Sequence, residues 1–191
     1  MLTTHNRCNL NEDCATVVYL RNAAVVTPHF YLAQKKKNIH TEDGKELSKS
    51  TTWNGYGGRW QHGDNTILKT AQRELYEESG GVRVLIKDLM FGARIEFFWP
   101  GNVSRKRDME VFFFTAYKYS KEPEATKEMG PPELFNVYEA PYKEMMPADE
   151  IIIPILMSGK MAQGKVYFQE DEKNGRSIAS KDIRVFSGRQ M

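Results

Sequence analysis

The stretch Arg73-Glu74-Leu75-Tyr76-Glu77-Glu78-Ser79-Gly80 constrains this chain more than any other. Its carboxylates at Glu74, Glu77 and Glu78 follow an i, i+3, i+4 pattern. On an α-helix those positions share one face, and like charges at that spacing repel each other. A fold that keeps all three on one patch needs an offsetting charge. A hard divalent cation, which prefers carboxylate oxygens and shares its shell with substrate phosphates, would provide it. A solvated acidic face is the plainer alternative. The upstream residues favour the cation. Asn54-Gly55-Tyr56-Gly57-Gly58 is a glycine-dense turn, and Asp64-Asn65-Thr66 offers good N-cap residues. A glycine-rich loop, a cap and an acidic helix together present backbone groups and carboxylates to a phosphate–metal complex.

The rest of the chain reads as a mixture of strands and two helices. Residues 1–13 are polar and form a leader without the apolar core of a signal peptide. Residues 14–191 are expected to make one domain. Ala15–Leu20 is apolar and β-branched, hence a buried strand, and a second strand follows from Thr27 or His29 to Lys35. Lys36–Thr52 is polar with an Asp43-Gly44 turn signal, and it reads as a long connection. Thr66–Ser79 is the acidic helix, with Ile67, Leu68, Ala71 and Leu75 on its apolar side and Gly80-Gly81 as its stop.

Strand character returns at Val82–Ile86, Leu89–Trp99, Met109–Tyr119 and Leu134–Tyr138, with a Pro100-Gly101-Asn102 turn and a basic loop at Val103–Arg107. Ile151–Lys160 reads as a second helix with Pro154 in its first turns. Val166–Phe168 and Ile183–Phe186 form a closing strand pair around Asn174-Gly175. This order suggests helices on both sides of a mixed sheet, an α+β or α/β arrangement.

Composition narrows the partners. The chain of 191 residues carries a net charge of only +2, too mild for a nucleic-acid polymer. Cys8 and Cys14 are the only cysteines and lack C-x-x-C spacing, so neither a zinc site nor a disulfide framework is expected. The apolar run Ile151–Met157 is too short for a bilayer. A cytoplasmic, monomeric protein without a membrane partner is the expectation.

The run Gly58–Gly80 resembles the Nudix box, G-x5-E-x7-R-E-U-x-E-E-x-G-U with U aliphatic. Gly58, Arg73, Glu74, Leu75, Glu77, Glu78 and Gly80 match it. Asp64 stands in the upstream acidic slot, separated from Arg73 by eight residues rather than seven, and Gly81 replaces the last aliphatic residue with Val82 behind it. The likeness extends to Trp53–Gly58, Lys127–Met129 and Pro141–Asp149, which resemble MutT-type oxidised-purine nucleoside triphosphatases.

The resemblance implies a Nudix-type α/β/α sandwich and a pyrophosphohydrolase acting on phosphoric anhydrides. Its reaction would be hydrolysis of a nucleoside triphosphate such as 8-oxo-dGTP to monophosphate and pyrophosphate, clearing damaged nucleotides. It implies Mg²⁺, with Mn²⁺ as a substitute, held by Glu74, Glu77 and Glu78, with the Gly58 carbonyl and Glu128 assisting. Arg73 would pair with a box carboxylate. Asn54 and Asp149 would read the purine, with Met146 lining it and Lys35 meeting phosphate.

Read on their own, Asn54 is a turn residue, Asp149 a helix N-cap and Lys35 a solvated strand end. Ala148 stands where mammalian members carry an aspartate, and Met146 where they carry a tryptophan. An alternative is therefore a Nudix enzyme for another nucleoside diphosphate derivative, a sugar nucleotide or dinucleoside polyphosphate. The alternative outside enzymes is a catalytically silent nucleotide sensor on the same fold.

Overall fold

A computed structural model describes residues 13–22, 27–40, 46–101, 106–171 and 175–187. Strands β1 (Cys14–Asn22), β2 (His29–His40) and β3 (Glu46–Asn54) precede helix α1 (Ile67–Glu78). Then come β4 (Met90–Phe98), β5 (Met109–Ala116), β6 (Met129–Asn136), helix α2 (Asp149–Met157), β7 (Met161–Asp171) and β8 (Gly175–Phe186). The sheet runs β3-β2-β1-β5-β4-β7-β8, with β6 along the other side of β2. Pairing is parallel for β1 with β5 and for β4 with β7, and antiparallel elsewhere.

The central strands are apolar on both faces because a helix layer covers each. Along β5, Phe113 belongs to one core while Phe112 and Phe114 belong to the other, as the two-residue period of a strand requires. Ile152, Ile153 and Leu156 of α2 seal the first core, and Ala71 and Leu75 of α1 seal the second. The result is an α/β/α sandwich. Among the described residues no helix is long and apolar enough to cross a membrane.

α1 starts where the sequence suggests. The Thr66 side chain accepts from the Lys69 amide, and the helix ends into Gly80 and Gly81, both at positive φ. Four readings need correction. Lys36–His40 and Glu46–Thr52 are strand and not loop: β2 continues to His40 and pairs with β3 from Ala33↔Asn54 outward. Their polar residues mislead because strand pairing runs through backbone bonds, which side-chain polarity does not reveal. Val82–Ile86 is not a strand, and among the described residues it joins no sheet ladder. It lies along α1, with Val82 and Val84 buried and Gln72 Nε2 donating to the Val84 carbonyl at 2.6 Å. β6 begins at Met129, ahead of the expected Leu134. α2 begins at Asp149, so Pro154 is its sixth residue, past the free first-turn amides. The carbonyl that loses its bond belongs to Glu150, which is exposed. Residues 1–12 of the 1–13 leader, the Asp43-Gly44 turn, residues 102–105 and Asn174 lie outside the described residues.

What positions the site is the glycine segment. It runs antiparallel beside β1, with Val18 and Tyr56 exchanging backbone bonds and the Thr16 amide donating to the Gly58 carbonyl at 2.9 Å. The approach is so close that a Cβ on Gly57 would lie 1.9 Å from the Thr16 carbonyl oxygen. Gly57→Ala is therefore expected to force the two backbones apart. Overpacking of this kind costs about 1–3 kcal/mol. Thermal unfolding should record a Tm lower by roughly 2–4 °C for each of those kcal/mol; an unchanged Tm would show that the contact is soft.

Candidate active site

The box carboxylates converge as their spacing demands, and each has a partner. Arg73 sits among them. Its Nε and Nη2 grip Asp64 at 3.1 and 2.7 Å, while Nη1 donates to Glu74 at 2.7 Å and to Glu77 at 3.1 Å. Nη2 also donates to the Arg59 carbonyl at 3.0 Å. Asp64 thus takes the role expected of a box carboxylate despite its shorter side chain and shifted spacing. Asp64 is fixed in turn, accepting from the Gln61 amide at 3.2 Å. Burial alone would raise its carboxyl pKa, but the Arg73 bonds and the Gln61 amide outweigh burial and hold it below the usual range. Arg73 is pushed further up, chiefly by its bonds to Asp64.

Glu78 lies deepest, with 3% of its side chain exposed. It accepts from Lys35 Nζ at 2.6 Å and from the Gly57 amide at 2.7 Å. Lys35 also donates to the Gly57 carbonyl at 3.2 Å. Glu74 lies directly over Gly58, where a Cβ would come within 2.5 Å of the carboxyl carbon. Glu77 is the outermost, 55% exposed. Burial raises the pKa of both Glu74 and Glu78 despite their cationic partners. Like charge adds to it, from Glu78 and Glu77 on Glu74 and from Glu128 on Glu78. Glu128 therefore stands within electrostatic reach of the patch, though it is exposed.

Among the described residues, no three acidic, histidine or cysteine groups are spaced to hold an ion as they stand. The carboxylate oxygens are instead engaged by Arg73 and Lys35. The donor set still suits a hard cation. It is all oxygen, it is electrostatically crowded, and it faces a glycine whose missing side chain leaves the carboxylate against bare backbone. The Gly58 carbonyl already accepts from Thr16, so a cation would meet its second lone pair.

A second group gathers on the α2 side of the sheet. Asp149 is buried, taking the Tyr19 hydroxyl on Oδ1 at 3.3 Å and the Met146 amide on Oδ2 at 3.2 Å. It is the first residue of α2, and Ala148 occupies the cap position, so its side chain reaches backwards instead of capping the helix. Burial pushes the Asp149 carboxyl from an ordinary 3.8 up to about 7, against the pull of Tyr19 and Met146. Met146 is half-buried beside the same core.

Asn54 ends β3, its amide donating to Thr52 Oγ1 at 3.2 Å. Its cross-strand partner is Ala33, so it shares a sheet face with Lys35, which is paired with Thr52. No direct bond joins it to Asp149 among the described residues. The two groups are connected by the glycine segment itself. Gly55 packs against the Tyr19 ring, Gly57 bonds Glu78 and Gly58 underlies Glu74, a run of about 10 Å for three extended residues.

A NUDIX domain model matches residues 15–156. The chain belongs to the Nudix family. It is thus a Nudix hydrolase, an enzyme class that acts on phosphoric anhydrides. It is 34% identical over 117 residues to the oxidized purine nucleoside triphosphate hydrolase of Danio rerio, covering 61% of this chain and 70% of that one. The protein of the same name from Mus musculus is 32% identical over 120 residues, covering 63% and 72%. The fold matches the MutT protein of Bacillus halodurans, with a TM-score of 0.61, 20% identity and coverage of 89% of this chain and 96% of that one.

Two contributors escaped the sequence reading. Gly57 supplies an amide to Glu78, and only the Thr16 contact explains why it must be glycine. Tyr19 looks like any core strand residue until the fold sets its hydroxyl beside a carboxyl 130 positions away.

The raised Asp149 carboxyl makes stability depend on pH. A group whose folded pKa lies above its unfolded value favours folding fully below about pH 4, and that contribution is lost as pH rises through about 7. Asp149→Asn removes the cost of ionising a buried group. Its Tm relative to the parent should therefore be several degrees more favourable at pH 8 than at pH 4, at about 2–4 °C per kcal/mol. Parallel melting curves at the two pH values check this, and a pH-independent difference would mean that Asp149 ionises freely.

Proposed function

We propose that this Nudix hydrolase cleaves a nucleoside triphosphate of the oxidised-purine class, such as 8-oxo-dGTP, to the monophosphate and pyrophosphate with Mg²⁺. The observation that carries this reading is the continuous run from Asn54 to Gly58. At one end Gly55 packs on Tyr19, whose hydroxyl bonds Asp149, and at the other Gly57 and Gly58 meet Glu78 and Glu74. A nucleotide has the same polarity, a base at one end and phosphates at the other. The names of the vertebrate relatives support the same substrate class.

In this reading Glu74, Glu77 and Glu78 hold the cation, with Gly58 and Glu128 contributing. When bound, Mg²⁺ neutralises phosphate oxygens and makes phosphorus open to in-line attack by water. Arg73 keeps Glu74 and Glu77 aimed at the patch while Asp64 anchors it to the loop. Lys35 shares the patch with Glu78 and is the cation placed to meet a phosphate oxygen. At the other end, Asp149 and Asn54 present acceptor and donor groups to the purine edge, and Met146 packs against its face.

The experiment is kcat/KM for 8-oxo-dGTP and for dGTP with Mg²⁺, read as pyrophosphate release. A preference of at least tenfold, about 1.4 kcal/mol of transition-state binding, is expected. Comparable weak rates on both would exclude the oxidised-purine assignment. Glu77→Gln and Glu78→Gln should each lower kcat by about a hundredfold or more, since even partners of metal ligands cost about 10–100-fold. If both retain parental turnover, the cation lies elsewhere.

A further inference from the structure

Tyr19 and Asp149 form a buried pair whose geometry goes beyond simple core packing. Tyr19 is 1% exposed and cannot shift. Its ring meets Phe30 edge-on at 5.7 Å, and Gly55 lies so close that a Cβ there would come within 2.8 Å of the ring. Two groups bond Asp149, the Tyr19 hydroxyl of β1 and the Met146 amide before α2, and Tyr142 in the short turn at Tyr142–Glu144 lies within its electrostatic reach. Tyr142 gives its own proton to the Val137 carbonyl at 2.6 Å. Among the described residues no cationic side chain acts on the Asp149 carboxyl.

The two donors differ in kind. An amide N–H can only donate, so Oδ2 always accepts from Met146. A phenol can donate to an ionised carboxylate or turn to accept from a protonated one. While Tyr19 donates, both carboxylate oxygens are acceptors, and their remaining lone pairs can receive N–H groups of a purine edge. The guanine edge offers such donors at N1 and N2, whereas the adenine edge offers an acceptor at N1 and a donor at N6.

We propose that Tyr19 is a positioning residue that sets base specificity: its hydroxyl holds Asp149 as a hydrogen-bond acceptor and so favours purines whose reading edge donates. This rests on the base-reading role given to Asp149 above. Burial pushes the carboxyl up to about 7, while the Tyr19 bond and the Met146 amide pull it down, so loss of the hydroxyl shifts the balance towards the protonated form. The phenol itself stays protonated, raised first by its own burial and then by Asp149.

The test measures kcat/KM for 8-oxo-dGTP and 8-oxo-dATP from pH 6 to 9 in the parent, Tyr19→Phe and Asp149→Asn. Tyr19→Phe should lower the guanine-to-adenine ratio about tenfold, the size of one hydrogen bond to a charged group. It should also move the ionisation governing 8-oxo-dGTP turnover to higher pH. A purely structural role would scale both substrates equally and leave the pH profile in place, which would overturn the proposal. If Asp149→Asn changes the ratio and Tyr19→Phe does not, Tyr19 is excluded while the base-reading role stands. If neither changes it, Asp149 does not read the base and both ideas fall. Should Tyr19→Phe fold poorly, 3-fluorotyrosine placed at position 19 makes the phenol a stronger donor. The Asp149 midpoint, read from its carboxyl ¹³C shift, should then fall, and an unmoved midpoint would overturn the proposal.

Discussion

Arg73 makes this site possible at all. Three glutamates on two turns of one helix, two of them largely buried, would repel each other and oppose folding. A guanidinium has five donors in a rigid plane, and here they reach Asp64, Glu74, Glu77 and the Arg59 carbonyl at once. A lysine ammonium, a point charge with a single centre, could not span that set. Lys35 takes the simpler task of matching Glu78 from the adjoining sheet. The helix, the loop before it and the sheet are thereby tied through charge at the place where a cation and phosphates are expected to arrive.

That electrostatic knot works only because the backbone beneath it is unusually close. The glycine segment lies against β1 as a partial extra strand, and its glycines sit where side chains have no room: Gly55 against Tyr19, Gly57 against the Thr16 carbonyl, Gly58 against Glu74. Packing and chemistry share these positions. The same absence of a Cβ that lets the loop approach β1 also brings an amide to Glu78 and a carboxylate onto bare backbone. β1, buried under both cores, is the fixed wall that the loop is measured against.

Much of the fold was legible in advance because local signals and tertiary outcome agree. The acidic helix has a strong N-cap at Thr66, an apolar stripe and two glycines at its end, so its limits follow from near neighbours. Val111–Thr115 of β5 is unbroken aromatic and β-branched sequence that suits a strand covered on both faces. The readings that failed are those in which local signals are weak or borrowed. The β2–β3 extension is polar in sequence and pairs through its backbone, so its strands read as a loop. Val82–Ile86 has strand composition but packs under α1, and composition cannot tell burial by a helix from pairing in a sheet. The charged cluster of Glu110 with Arg94 and Arg107 inside the sheet gave no sign at all, since its members are far apart in sequence or surrounded by other charges.

The sequence by itself determined the local part of the acidic patch: which carboxylates face together and that glycines precede them, with the Arg73 pairing implied by the family resemblance. Helical periodicity fixes neighbours three and four residues apart, so this information is local. The tertiary structure alone decided the surroundings of Asp149. Asp149 reads as a helix cap, and only the closing of α2 over β1 buries it, aims it at Tyr19 and raises its carboxyl. Desolvation and contacts across 130 residues are properties of the packed interior, and no local pattern encodes them.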